Sequence, residues 1–97
     1  MQMVLEVENT RIPKDLVKDV VIRTLRSRVE EINQKLNDIY ERMNYFERRY
    51  GMKTEEFYGK FVNGALEDDM DFFEWKASKE IFDELKEEKR VLVEVIE

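Results

Sequence analysis

A chain of 97 residues with 42% apolar side chains is long enough for one domain with a core and too short for two. Charged residues make up 41%, far above the usual quarter, which marks either a disordered chain or long solvated helix faces; the ordered apolar spacing favours the second. Cysteine and histidine are both missing, so disulfides, thiolate chemistry, the commonest general base and the commonest metal ligand are excluded.

Residues 3–8 open the chain as a short strand, with Met3, Leu5 and Val7 on one face. Asn9 to Pro13 breaks it, and Pro13 suits a helix start, where its missing N–H costs nothing. From Lys14 to Tyr50 neither Gly nor Pro interrupts a long helix. Within it Ile22, Leu25, Val29, Ile32, Leu36, Ile39, Met43, Phe46 and Tyr50 are spaced alternately by three and four residues. Every a and d position of four heptads is thus apolar or aromatic, the pattern of a helix wound against another helix. The start is apolar over a wider arc, through Leu16, Val17, Val20, Val21 and Ile22.

Gly51 stands where a left-handed residue closes a helix. Thr54, with Glu55 and Glu56 behind it, reads as the N-cap of a short amphipathic helix over 54–63 that carries Phe57, Tyr58, Phe61 and Val62. After the acidic link Glu67-Asp68-Asp69, Asp69 or Asp71 caps a third helix over 70–90. Its seam is Trp75, Ser78, Phe82, Leu85 and Lys89, with Phe73, Ala77 and Ile81 alongside. Residues 91–96 are β-branched and partly alternating, and read as a strand, with a frayed end of the third helix as the alternative.

The fold expected is a single, mainly all-α domain over residues 1–97: a long coiled-coil-like helix, an antiparallel return helix and short terminal β-strands. Length then sets a problem. A third helix of about 20 residues reaches ~30 Å, whereas the long helix of 37 residues reaches ~55 Å. The front of the long helix is left over, so Leu16, Val17, Val20, Val21, Ile22, Leu25 and Val29 are expected in a dimer interface, against a foreign partner, or under the terminal strands.

Charge is unevenly spread: ten Lys/Arg against nine Asp/Glu in residues 1–50, seven against fourteen in residues 51–97. Arg28, Lys35, Arg42 and Arg49 flank the long seam at g, and Arg26 at e. The third helix answers with Glu74, Glu80, Asp83, Glu84, Glu87 and Glu88. These charges either choose and orient a mating helix, within the chain or outside it, or are ordinary solvated flanks of little energetic worth. Nucleic-acid binding by the basic edge is disfavoured, because Glu30, Glu31, Asp38, Glu41 and Glu47 share the helix. The strand followed by Arg11-Ile12-Pro13-Lys14-Asp15-Leu16 resembles the opening of ribbon-helix-helix repressors, but the second helix that those need does not follow. Glu67 to Asp71 lacks the Gly and distal ligands of a Ca²⁺ loop and is read as a helix-capping linker.

Phe57, Tyr58, Phe61, Phe72, Phe73 and Trp75 are dense enough to form a core; Phe72, Phe73 and Trp75 are the alternative candidates for partner anchors. Enzyme readings are poor. Ser27 and Ser78 have no His to activate them, and no Gly-rich phosphate loop is present. Arg23, Arg28 and Lys35 only loosely mimic the arginine pattern of all-helical chorismate mutases. No catalytic, cofactor-binding or metal-ligating residue is assigned, and no cofactor is expected. No apolar run approaches a membrane span and no signal peptide is visible, so a cytoplasmic location is expected. The Glu/Lys/Arg-rich composition is compatible with a thermophilic source.

Tyr50-Gly51-Met52-x-x-Glu55-Glu56-Phe57 and Phe61-x-x-Gly64-x-Leu66-x-x-Asp69-x-Asp71-x-Phe73-Glu74-Trp75-Lys76-Ala77 together span about 28 residues. This stretch is similar to a group of small prokaryotic helical proteins whose genes often neighbour that of a toxin-like protein. Those proteins are taken to be antitoxins of type II toxin–antitoxin pairs. The resemblance implies a non-catalytic, antitoxin-like neutraliser that wraps a partner toxin and blocks its site; a homodimer is expected separately, from the uncovered front of the long helix. A structural coiled-coil adapter is the second expectation, and a DNA-binding regulator using the N-terminal strand and helix is the third.

Overall fold

The computed structural model describes residues 12–97, so the strand expected over 3–8 lies outside the described residues. Three helices are present among the described residues: α1 over Lys14–Tyr50, α2 over Thr54–Val62 and α3 over Met70–Ile96. Together they make an elongated body of 60 × 23 × 21 Å.

α1 starts at Pro13, whose carbonyl accepts from the Leu16 and Val17 amides at 3.1 Å, and it runs unbroken for 37 residues. Gly51 ends it at φ 67°, a left-handed turn in which its amide donates to the Glu47 carbonyl at 2.9 Å. α3 is capped by Asp69, whose Oδ1 accepts from the Asp71 amide at 2.8 Å. It then returns antiparallel along α1. The ion pairs fix the direction: Arg28 meets Glu88 at 2.6 Å and Arg42 approaches Glu74 at 3.9 Å, so fourteen residues forward on α1 match fourteen back on α3.

The strand expected over 91–96 is corrected: these residues are the last turns of α3, which is 27 residues long. Strand propensity lost to packing and local charge. Lys89, Leu92 and Ile96 continue the three-and-four step of the seam, while Arg90 donates to Glu87 at 2.6 Å and to Glu94 at 3.0 Å, pairs that only helical spacing allows. At 1.5 Å per residue the return helix gains length, to ~40 Å; its end lies beside Arg26 and Val29 and, in the register of the ion pairs, runs on toward Ile22 rather than stopping at mid-helix.

The core sits at the closed end of the hairpin. Met43, Phe46, Phe57 and Trp75 are buried there, with Ile39, Tyr50, Phe61, Phe72 and Phe82 packed around them. Phe57 of α2 stacks on Trp75 of α3 with ring centroids 3.9 Å apart and planes 7° from parallel. Thr54, expected as an N-cap, is instead the first helical residue of α2, buried under the indole. Its hydroxyl accepts from Trp75 Nε1 at 3.0 Å and its amide donates to Glu47 Oε2 at 2.7 Å. A shorter helix thus anchors itself on both long ones through a single residue.

Candidate functional site

The residues expected at a self-association or partner surface divide by position along α1. Val29 lies beside Val93 and Ile96 at the end of α3, so its cover comes from within the chain. Leu25, Ile22, Val21 and Val17 are half-buried. Leu16 and Val20 are 50% and 45% exposed, and Ile12 is 55% exposed.

Helical geometry explains the division. At about 100° per residue, Ile22, Leu25 and Val29 share the face of α1 that meets α3. Leu16, Val20, Thr24 and Ser27 follow one another at four, four and three residues on the opposite side. Thr24 joins this stripe without exposing an unused donor, because its hydroxyl donates to the Val20 carbonyl at 2.9 Å. The front of α1 therefore also exposes two apolar side chains, Leu16 and Val20, on the side that α3 cannot reach. Asp19 and Arg23, an ion pair at 3.2 Å, edge the far stripe.

Of the candidate anchors, Trp75 is corrected. It is fully buried and hydrogen-bonded to Thr54, so it is a core residue. Phe72 packs on the same core, in contact with Tyr50 and Phe57. Phe73 alone is exposed, at 49%, with its ring edge-on to Phe61.

The basic flank of α1 finds its acids inside the chain. Arg28 is bidentate on Glu88, at 2.6 and 3.0 Å, and also holds Glu31 at 2.9 Å. Arg49 lies 3.4 Å from Asp71, and Lys35 turns back to Glu31 at 3.0 Å. The hydrogen bonds from Arg28 hold the Glu88 carboxyl below the usual range, and Lys35 does the same to Glu31. Across α2 and α3, Tyr58 donates to Glu80 at 3.0 Å; Lys76 and this phenol keep the Glu80 carboxyl low, and the bond raises the Tyr58 phenol. Tyr50 donates to Asp71 at 2.5 Å and is raised for the same reason. Every one of these shifts comes from a partner on the surface of the bundle. Among the described residues no group of three or more acids is placed to hold a metal ion, and no helix is long and apolar enough to cross a membrane.

The chain matches no protein-family model, no curated protein and no solved structure.

Proposed function

We propose that this chain is a non-catalytic protein-binding module: a self-associating, antitoxin-like neutraliser of a partner protein. The observation that carries the binding role is the exposed stripe of Leu16, Val20, Thr24 and Ser27, set on α1 opposite the face that meets α3. An amphipathic helix in a monomer needs one apolar face; a second one is at home under another chain. A second copy placed across a two-fold axis covers both stripes at once and is the commonest closed arrangement. The toxin as partner is supported by the resemblance of residues 50–77, which form α2, the acidic link and the start of α3.

Two measurements test this reading. Sedimentation at micromolar concentration is expected to give a dimer, and Leu16→Asp with Val20→Asp a monomer of unchanged helicity. A wild-type monomer of full helicity overturns self-association. Co-expression with the tagged product of the adjacent gene is expected to give a co-purifying complex. Failure of that complex to form, with both proteins folded, removes the neutraliser role.

A further inference from the structure

α2 is a third helix seated on the α1–α3 hairpin, but it is only 9 residues long. It lies along one flank of α3. Lys76 sits over the Phe61 ring, and Lys79 sits over the Tyr58 ring and pairs with Glu55 at 3.4 Å. Continuing at three- and four-residue steps from Lys76 and Lys79, the same flank carries Asp83, Lys86, Arg90 and Val93. These residues line an open trough that begins at Lys53, Thr54 and Glu55, where α2 begins. Leu36 and Tyr40 form its α1 wall, and past Val93 it runs on to Val29 and Ile96. Phe82 and Lys86 belong to both of its first two stretches, and Val93 links the second to the third, so the trough is continuous. From Lys79 to Ile96 it offers ~26 Å, the length of a helix of about 17 residues.

We infer that this trough takes an amphipathic helix of a partner protein, with carboxylates along the edge that faces α3. The inference rests on the protein-binding reading above and names the chemistry of the surface. Two observations fix the occupant. The chain itself fills the closed end of the trough with an amphipathic helix, so the remainder has the shape of a helix-in-groove site. In the middle stretch the charge is complementary to acids: Asp83 and Glu94 are already paired, with Lys79 and Arg90, whereas Lys86 and Lys89 have no carboxylate partner among the described residues. Lys86 rests over the Phe82 ring, its ammonium 5.6 Å from the centroid. Lys79, seven residues earlier and so at the equivalent place on α3, pairs with a carboxylate of the helix in the occupied part, Glu55 of α2, as well as with Asp83 of its own helix. A partner helix with an acidic edge repeats that contact at Lys86 and Lys89, while its apolar residues settle on Leu36, Phe82 and Val93.

The test uses a fluorescent, stapled peptide helix of about 18 residues, with leucines at three- and four-residue steps and glutamates along one edge. A twin peptide carries lysines in place of the glutamates. By fluorescence anisotropy the acidic peptide is expected to bind the full chain saturably, to weaken with salt, and to bind at least tenfold more tightly than its basic twin. Lys86→Glu, exposed on the rim of α3, is expected to abolish that preference with helicity retained, and Lys89→Glu, half-buried at the edge of the seam, to weaken it further. Leu16→Asp with Val20→Asp leaves it unchanged, which separates this site from the self-association face. Equal binding of the two peptides, indifference to the charge reversal, or no saturation below about 1 mM overturns the inference. So does a homodimer that the lysine reversal dissociates, because the trough is then filled by a second copy.

Discussion

Trp75 and Thr54 offer the sharpest test of how the three helices are joined. The indole is fully buried, stacked on Phe57, and its Nε1 donates to the Thr54 hydroxyl at 3.0 Å. Thr54→Val keeps the shape and removes the acceptor, leaving a buried N–H without a partner; the expected cost is about 1–3 kcal/mol. Trp75→Phe removes the donor and part of the ring. A phenyl can still stack on Phe57, so the loss should be ~2–4 kcal/mol, below that of full truncation. In the double variant no orphaned polar group remains on either side. Its loss should therefore fall short of the summed single losses by ~1 kcal/mol or more. Urea unfolding of the four proteins measures this directly, and for a domain of this size each kcal/mol appears as about 4–8 °C in Tm. Thr54→Ser, which keeps the hydroxyl, should stay near wild type. Additivity within about 0.5 kcal/mol would refute the argument, and would mean that Thr54 and Trp75 contribute through packing alone.

The remaining predictions probe the seam, the turn and the surface charges. Ile32 is fully buried and Leu36 only half-buried on the wall of the trough, so Ile32→Asp should unfold the chain, Leu36→Asp should weaken it, and exposed Glu41→Lys should leave Tm nearly unchanged; equal effects would show the seam to be misplaced. Gly51 has φ 67° and open space where a Cβ would go, so Gly51→Ala should cost about 1–2 kcal/mol of backbone strain and nothing from clash, a figure that chemical denaturation can check. Glu31, Glu80, Glu87 and Glu88 are all held low by cationic partners. The unfolded chain therefore binds protons more readily, and Tm should fall as pH drops below about 4.5. Tyr50 and Tyr58 are raised, so their hydrogen bonds are lost on the alkaline side, above about pH 10. Between these limits Tm should be flat, and Glu88→Gln should soften the acid limb.

α1 was legible almost to the residue, because Ile22 to Tyr50 keeps one spacing for four heptads and Gly51 supplies the only way out of the helix without strain. The start of α3 was legible for a similar reason: Asp69 is a capping side chain placed just before an apolar period. Its end was not. Val91, Leu92, Val93, Val95 and Ile96 favour strands when judged one at a time. Yet Lys89, Leu92 and Ile96 already continued the step set by Trp75, Ser78, Phe82 and Leu85. Packing along a seam outweighs single-residue propensity of a few tenths of a kcal/mol each. Thr54 failed differently. Its place before two acids suggested a cap, and only the approach of Trp75 from another helix gives its hydroxyl a different use.

The longer α3 changes what the surplus apolar surface of α1 means. A short return helix would leave the whole front half bare on the side of the seam, and terminal strands could then have covered it. With α3 running past Val29 and Arg26, the shortage on that side is confined to the first turns of α1, and the stripe of Leu16, Val20, Thr24 and Ser27 faces the other way. No lengthening of α3 could cover that stripe, because an antiparallel neighbour on one face cannot reach the opposite one. The trough, by contrast, lies beside α3 and is bounded by it. The two surfaces differ in chemistry as well: the stripe is apolar between a closed Asp19–Arg23 ion pair and small hydroxyls, whereas the trough has lysines without carboxylate partners on its rim. A surface without net charge suits its own copy, since like charges do not meet across the two-fold. Lysines without carboxylates call instead for acids across from them, which a helix with an acidic edge supplies.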